Sequence, residues 1–208
     1  MRHFLFLLAA TGLTLPALAQ TERGSKLIGV SVGELSYTKF DNGRTRLSAA
    51  VTPAVGWFVA NNLAVGTGIR LSYSRSKFNG FGTMFPVSTT SRSFGYGLAP
   101  FARYYLPGSG KHRVFAHVSA EHTWFRERTK YEEGPNTNAS NSFPRTWAAY
   151  GGLGYNYFLT PTVALEAQAG YRRSGYFNDR RPATGELDAR VGLSVFLPSG
   201  RSAAAPTE

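Results

Sequence analysis

The stretch RLSAAVTPAVGWFVANNLAVGTGIRLSY, residues 46–73, decides how this chain folds. Its odd positions from Leu47 are Leu47, Ala49, Val51, Pro53, Val55, Trp57 and Val59, and its even positions are Arg46, Ser48, Ala50, Thr52, Ala54 and Gly56. Strict alternation of this kind is the mark of a strand. After Ala60-Asn61-Asn62 the pattern restarts, with Leu63, Val65, Thr67, Ile69, Leu71 and Tyr73 opposed to Ala64, Gly66, Gly68, Arg70 and Ser72. A soluble sheet turns its large side chains inward. Here the face carrying arginine, serine and glycine reads as the enclosed one, and the apolar face meets lipid.

Six more alternating segments flank this hairpin. The first runs from Leu27 to Thr38 and changes phase near Gly33-Glu34, which predicts a bulge. The others lie around residues 93–104, 114–125, 146–157, 163–172 and 186–197. The count is eight strands. Connections alternate in length: Ala60–Asn62, Pro107–Gly110 and Thr160–Pro161 read as tight turns, whereas Ser74–Ser91, Glu127–Pro144 and Arg173–Thr184 read as long polar loops. Short turns on one side and longer loops on the other are the habit of outer-membrane barrels. Aromatics on the apolar face gather at strand ends, with Trp57, Tyr104 and Tyr157 on the turn side and Tyr73, Phe94, Trp124, Trp147 and Tyr171 on the loop side. Two interfacial girdles would be placed so. Between them the apolar face carries no Asp, Glu, Lys or Arg; one such charge at mid-bilayer is unfavourable by roughly 2–4 kcal/mol.

The 208 residues suffice for one domain. Met1 to Ala19 reads as a cleavable signal: Arg2 and His3 are basic, Phe4 to Ala10 apolar, and Ala17-Leu18-Ala19 the small-x-small cleavage site. The run is too short for a transmembrane helix. Residues 20–26 then form a periplasmic N-terminal segment, 27–197 the barrel and 198–208 a flexible periplasmic tail. The chain has no cysteine, which excludes disulfides and thiolate metal sites. Net charge is +11, yet the bases are scattered singly through alternating strands, so nucleic acid is not the expected partner. Anionic lipid headgroups are. A mean hydropathy of −0.21 suits a barrel, where only alternate residues must be apolar.

The hairpin wording Pro53-x-x-Gly56-Trp57-Phe58-Val59-x-Asn61-Asn62-Leu63-Ala64-Val65-Gly66 is echoed by Gly154-Tyr155, Phe158-Leu159 and Val163-Ala164-Leu165. With the leader and the eight strands, residues 24–197 resemble the OmpX/OmpA-type small outer-membrane barrels, the outer membrane protein beta-barrel domain family. The resemblance implies bacterial outer-membrane insertion machinery as a partner. Family members usually end on an aromatic; here the last strand ends at Phe196-Leu197 and residues 198–208 follow.

The enclosed face collects Arg46, Arg70, Arg103, Arg172 and Arg190 with Glu121, Glu166, Glu186 and Asp188, and Glu34 is a further candidate at the bulge. The interior of an eight-stranded barrel is just wide enough for side chains to fill, and charges buried there must pair. A salt-bridged polar plug is the expectation; a narrow gated pore is the alternative. His117, Ser119 and Glu121 share one strand face and are the residue types of nucleophilic catalysis. Lipid A deacylases of similar fold use a His-x-Ser pair with a Glu facing lipid, whereas the phase here turns these three inward, into the plug. His122 faces outward beside Trp124. No metal-ligand spacing and no phosphate loop occurs, so no cofactor is expected, and Asn138-Ala139-Ser140 reads as a chance glycosylation acceptor.

The loop-side rim is basic through Arg75, Lys77, Arg92, Arg126, Arg128, Lys130, Arg173, Arg180 and Arg181, with Glu127, Glu132, Glu133 and Asp179 against them. It suits lipopolysaccharide phosphates. The fold class expected is all-β: an eight-stranded antiparallel up-and-down transmembrane β-barrel, monomeric, with periplasmic termini and no enzymatic activity. Its long loops are the expected recognition surface for envelope integrity or adhesion. A soluble lipocalin-like barrel, the rival fold, would need large apolar side chains inside.

Overall fold

A computed structural model describes residues 21–81, 85–108, 110–177 and 182–199. Residues 1–20, on which the expected signal falls, most of the C-terminal tail and the rim residues Asp179, Arg180 and Arg181 lie outside the described residues. Nine strands are present: β1 (Lys26–Lys39), β2 (Arg44–Ala60), β3 (Leu63–Phe81), β4 (Pro86–Tyr105), β5 (His112–Glu133), β6 (Asn136–Ser142), β7 (Arg145–Phe158), β8 (Val163–Tyr176) and β9 (Thr184–Leu197). Eight of them close an antiparallel barrel in which each strand pairs with the next, β5 pairs β7, and β9 returns to β1. β6 pairs only with the far end of β5.

The alternation in residues 46–73 becomes β2 and β3, paired from Arg44↔Phe78 to Ala60↔Leu63. Asn62 closes the turn at φ 66°, a left-handed conformation that asparagine adopts more readily than most residues. The phase change in β1 is a bulge: register shifts between Gly33 and Ser36, and Glu34 takes φ 53°. That extra residue re-aims the Glu34 side chain toward Arg70 and Arg172 in the lumen.

Two of the segments expected as loops are strands instead. Residues 74–81 and 86–92 continue β3 and β4 in unbroken register, and residues 127–133 continue β5 to pair with β6. Both faces there are polar, because both meet water, so the apolar alternation that marks a half-buried strand is missing. These four strands form a sheet that runs past the loop-side aromatics by roughly 20 Å of strand.

At the opposite end, residues 21–25 tuck beneath the barrel. Gly24 N–H donates to Phe58 O (2.8 Å), Phe58 N–H to Ser25 O (2.9 Å) and Asn62 N–H to Thr21 O (2.7 Å). The segment before β1 is thus part of the folded unit rather than a leader into it.

Candidate functional site: the filled lumen

The turn end of the lumen is apolar. Phe58, Tyr105, Phe115, Phe158 and Phe196, all buried, meet there with Leu27, Ala64 and Ala164, one side chain from each of the eight barrel strands. Ring centroids lie 5.1 Å apart for Tyr105–Phe115 and Phe158–Phe196, and 5.6 Å for Phe58–Tyr105. Inward glycines give these rings room: a Cβ on Gly154 would fall 2.1 Å from Phe115 Cζ, and one on Gly66 would fall 2.6 Å from Phe101 Cζ. The sequence reading expected an enclosed face of arginine, serine and glycine. The aromatic floor was missed, although its rings stand on inward positions at the turn end of their strands, as Phe58 does after the outward Trp57.

Above this floor lies a first ionic layer. Arg103 makes a bidentate pair with Glu166 (2.7 and 3.0 Å), and its Nε donates to His117 Nδ1 at 2.9 Å. Ser194 Oγ donates to the same carboxylate at 2.6 Å, and Gln168 Nε2 donates to it as well. The guanidinium also sits over the Phe115 and Phe101 rings, 4.9 and 5.2 Å from their centroids. A buried charge needs such dense partnering, since desolvation alone would expel it.

The second layer is larger. Glu121 accepts from Arg172 at 3.0 Å and Arg190 at 3.1 Å, with Arg70 Nε at 3.8 Å. Arg190 is further held by Asp188 at 2.7 Å and lies 4.5 Å over the Tyr150 ring. Glu34 pairs with Arg70 and, at 3.4 Å, with Arg172. Glu186 reaches Arg172 at 3.0 Å from the mouth, where its side chain is 55% exposed. Arg46 does not join. It is exposed at the mouth and has no acidic partner among the described residues, although it borders the same cleft as Glu34, Glu186 and Asp188, which other arginines hold.

Between the layers is a void of about 30 Å³, room for a single water, lined by Ser31, Thr52, Ser119 and Gln168 among others. His117, Ser119 and Glu121 do line up on the lumen face of β5. They are not joined: the His117 lone pair is taken by Arg103, Ser119 Oγ has no hydrogen-bond partner among the described residues, and Glu121 serves the arginines. A nucleophile hydrogen-bonded to its base, the geometry that acyl transfer requires, is not formed.

The outer wall between the aromatic girdles is an apolar band that includes Val30, Val55, Ile69, Leu98, Val118, Leu153, Leu165 and Leu193, all exposed. A family model, the outer membrane protein beta-barrel domain, matches residues 5–194. The chain belongs to this family. Solved structures with the same kind of barrel include OprG from Pseudomonas aeruginosa (13% identity, 87% of this chain and 99% of that one covered, TM-score 0.49). Ail from Yersinia pestis gives 11% identity, 84% and 99% coverage and a TM-score of 0.40. The N-terminal β-barrel domain of Pseudomonas aeruginosa OprF gives 14% identity, 84% and 98% coverage and a TM-score of 0.37. No curated protein matches the sequence.

As in any outer membrane beta-barrel domain, the outward aromatics bound the lipid-facing band. Trp57, Tyr73, Phe94, Tyr104, Tyr157 and Tyr171 are exposed on the wall. Trp124 and Trp147 are half-covered; Trp124 stacks on Tyr96 (5.8 Å), and His122 lies between Trp124 (4.2 Å) and Phe177 (4.5 Å). Just beyond Tyr73 and Phe94, Arg75, Arg92 and Arg128 stand directly opposite one another on β3, β4 and β5, with Lys77 and Lys130 flanking Thr90 in the next row. Lys130 pairs with Glu132; the three arginines have no acidic partner among the described residues. Like charges placed opposite one another on a sheet repel.

Proposed function

We propose that this protein is a non-enzymatic, non-conducting barrel of the bacterial outer membrane that presents the β3–β6 sheet as a recognition surface for envelope integrity or adhesion. In this reading Met1–Ala19 is a cleaved signal, the termini and the tail are periplasmic, and the barrel is a monomer delivered by the outer-membrane insertion machinery. The observation that carries it is the lumen, where an aromatic floor and two ionic layers fill the barrel from its turn end to the level of Glu121, with a void of about 30 Å³ between the layers. Planar-bilayer recording of the refolded chain tests it. The expected trace equals that of bare bilayer, and discrete conductance steps would establish the narrow-channel alternative instead.

The row of Arg75, Arg92 and Arg128 supports lipopolysaccharide as the lipid partner of the outer wall. Three guanidiniums at headgroup depth without carboxylates suit phosphates, which arginine binds bidentately. Replacing Arg92 and Arg128 by alanine is expected to weaken binding of purified lipopolysaccharide to the barrel in micelles while leaving its fold intact. Unchanged binding would remove that partner.

A further inference from the structure

The barrel wall is not bonded along its whole height. β1 and β9 pair from Lys26↔Leu197 to Gly33↔Arg190 and no further. Beyond that point β1 continues to Lys39 bonded only to β2, and β9 starts at Thr184 bonded only to β8. Two strand edges therefore face one another across a cleft of about 590 Å³, a volume typical of small-molecule sites. The depth of this seam follows from strand length. β3 runs from Leu63 at its turn to Tyr73 in the loop-side girdle, and the same run on β9 goes from Leu197 to Leu187. The lower end of the open seam thus lies at the outer-leaflet interface, with Leu187 opposite Tyr171 of the loop-side girdle and Ala189 just below it. Unmet backbone groups are strongly unfavourable in hydrocarbon.

The lining is two-sided. On the lipid side stand the most exposed apolar side chains of the wall, Leu187 at 90% and Leu35 at 76%. On the lumen side the carboxylates of Glu34, Glu186 and Asp188 are each already bound to arginine, and Arg46 is the cation left without an acid among the described residues. We infer that the seam is a lateral site for a single-chain anionic amphiphile of the fatty-acid class, entering from the outer leaflet. Its carboxylate meets Arg46, and its chain lies along Leu35 and Leu187. The site borders the upper ionic layer of the lumen and is separate from the arginine row on β3, β4 and β5.

Oleate is the probe. The full chain, refolded in nonionic micelles, is dialysed to equilibrium against labelled oleate or its neutral counterpart, oleyl alcohol. One saturable oleate per barrel is expected. Arg46→Ala should weaken it by about tenfold or more, and the alcohol should bind weakly and be indifferent to that change. Because the chain has no cysteine, Leu187→Cys introduces a unique thiol. Oleate should slow its maleimide labelling and leave Val118→Cys, on the far wall, unaffected. Heat-modifiable gel mobility verifies that each variant is folded. Oleate binding unchanged in Arg46→Ala, or protection equal at both thiols, overturns the proposal. So does displacement of oleate by stoichiometric lipid A, which would make an outer-leaflet lipid the occupant, or a disulfide-linked dimer of Leu187→Cys, which would mean a second barrel covers the seam.

Discussion

At the turn end of the lumen five aromatic rings meet, with the Arg103 guanidinium lying over one of them; toward the loop end three arginines and four carboxylates share the same enclosure. The two fillings answer different demands. The floor must exclude water at a tapering end, and rings do so by area and contact, each one replaceable in part by its neighbours. The ionic layer must hold charge in a space with little solvent, and there the partners are counted: Glu121 alone stands between Arg70, Arg172 and Arg190. Closure by rings should fail gradually, and closure by charges abruptly.

The sharpest way to break that contrast is Glu121→Leu. It removes the carboxylate that three guanidiniums share, leaving them only Glu34, Glu186 and Asp188, and should reduce stability by about 3–5 kcal/mol, read from urea unfolding in micelles. Phe115→Ala empties a fully buried ring position in the floor and should cost about 3 kcal/mol, since Tyr105 can relax into part of the space. A loss larger than that of Glu121→Leu would reverse the ranking. Glu186→Gln removes a pair whose acid is 55% exposed, so a loss below about 1 kcal/mol is expected. A larger one would mean that the ionic layer is closed to water up to the mouth.

The smallest effect lies outside the membrane, on the projecting sheet. Tyr131 donates to Glu133 at 3.0 Å, and this bond, with the nearby carboxylate charge, holds its phenol above the usual tyrosine range. A group raised on folding contributes fully below its unfolded pKa and loses that contribution as pH rises through the folded value. Absorbance titration should therefore show the Tyr131 phenol ionising late, and Glu133→Gln should return that step to the ordinary range.

Much of this was legible in residues 46–73 and their echoes. Period two, uncharged outward positions and aromatics at strand ends follow from the bilayer, which acts on every strand alike, so sequence alone shows the fold and the phase of each strand. The bulge at Glu34 was readable for the same reason, as a slip in that phase. Where both faces meet water no period is imposed, and β6 with the extensions of β3, β4 and β5 escaped notice. The lumen was legible only in its membership. Alternation placed Arg70, Arg103 and Glu121 inside, but strand stagger decided that Arg103 meets Glu166 while Arg46 meets no carboxylate.

Sequence by itself determined an eight-stranded barrel, which side of each strand faces lipid, and which charges had to be enclosed, because these depend on local alternation and a uniform solvent. Tertiary structure decided the aromatic floor, the pairing within the two ionic layers and the open seam between β1 and β9. Those depend on how strands distant in sequence are staggered when the sheet closes, and closure joins the first strand to the last across nearly the whole chain.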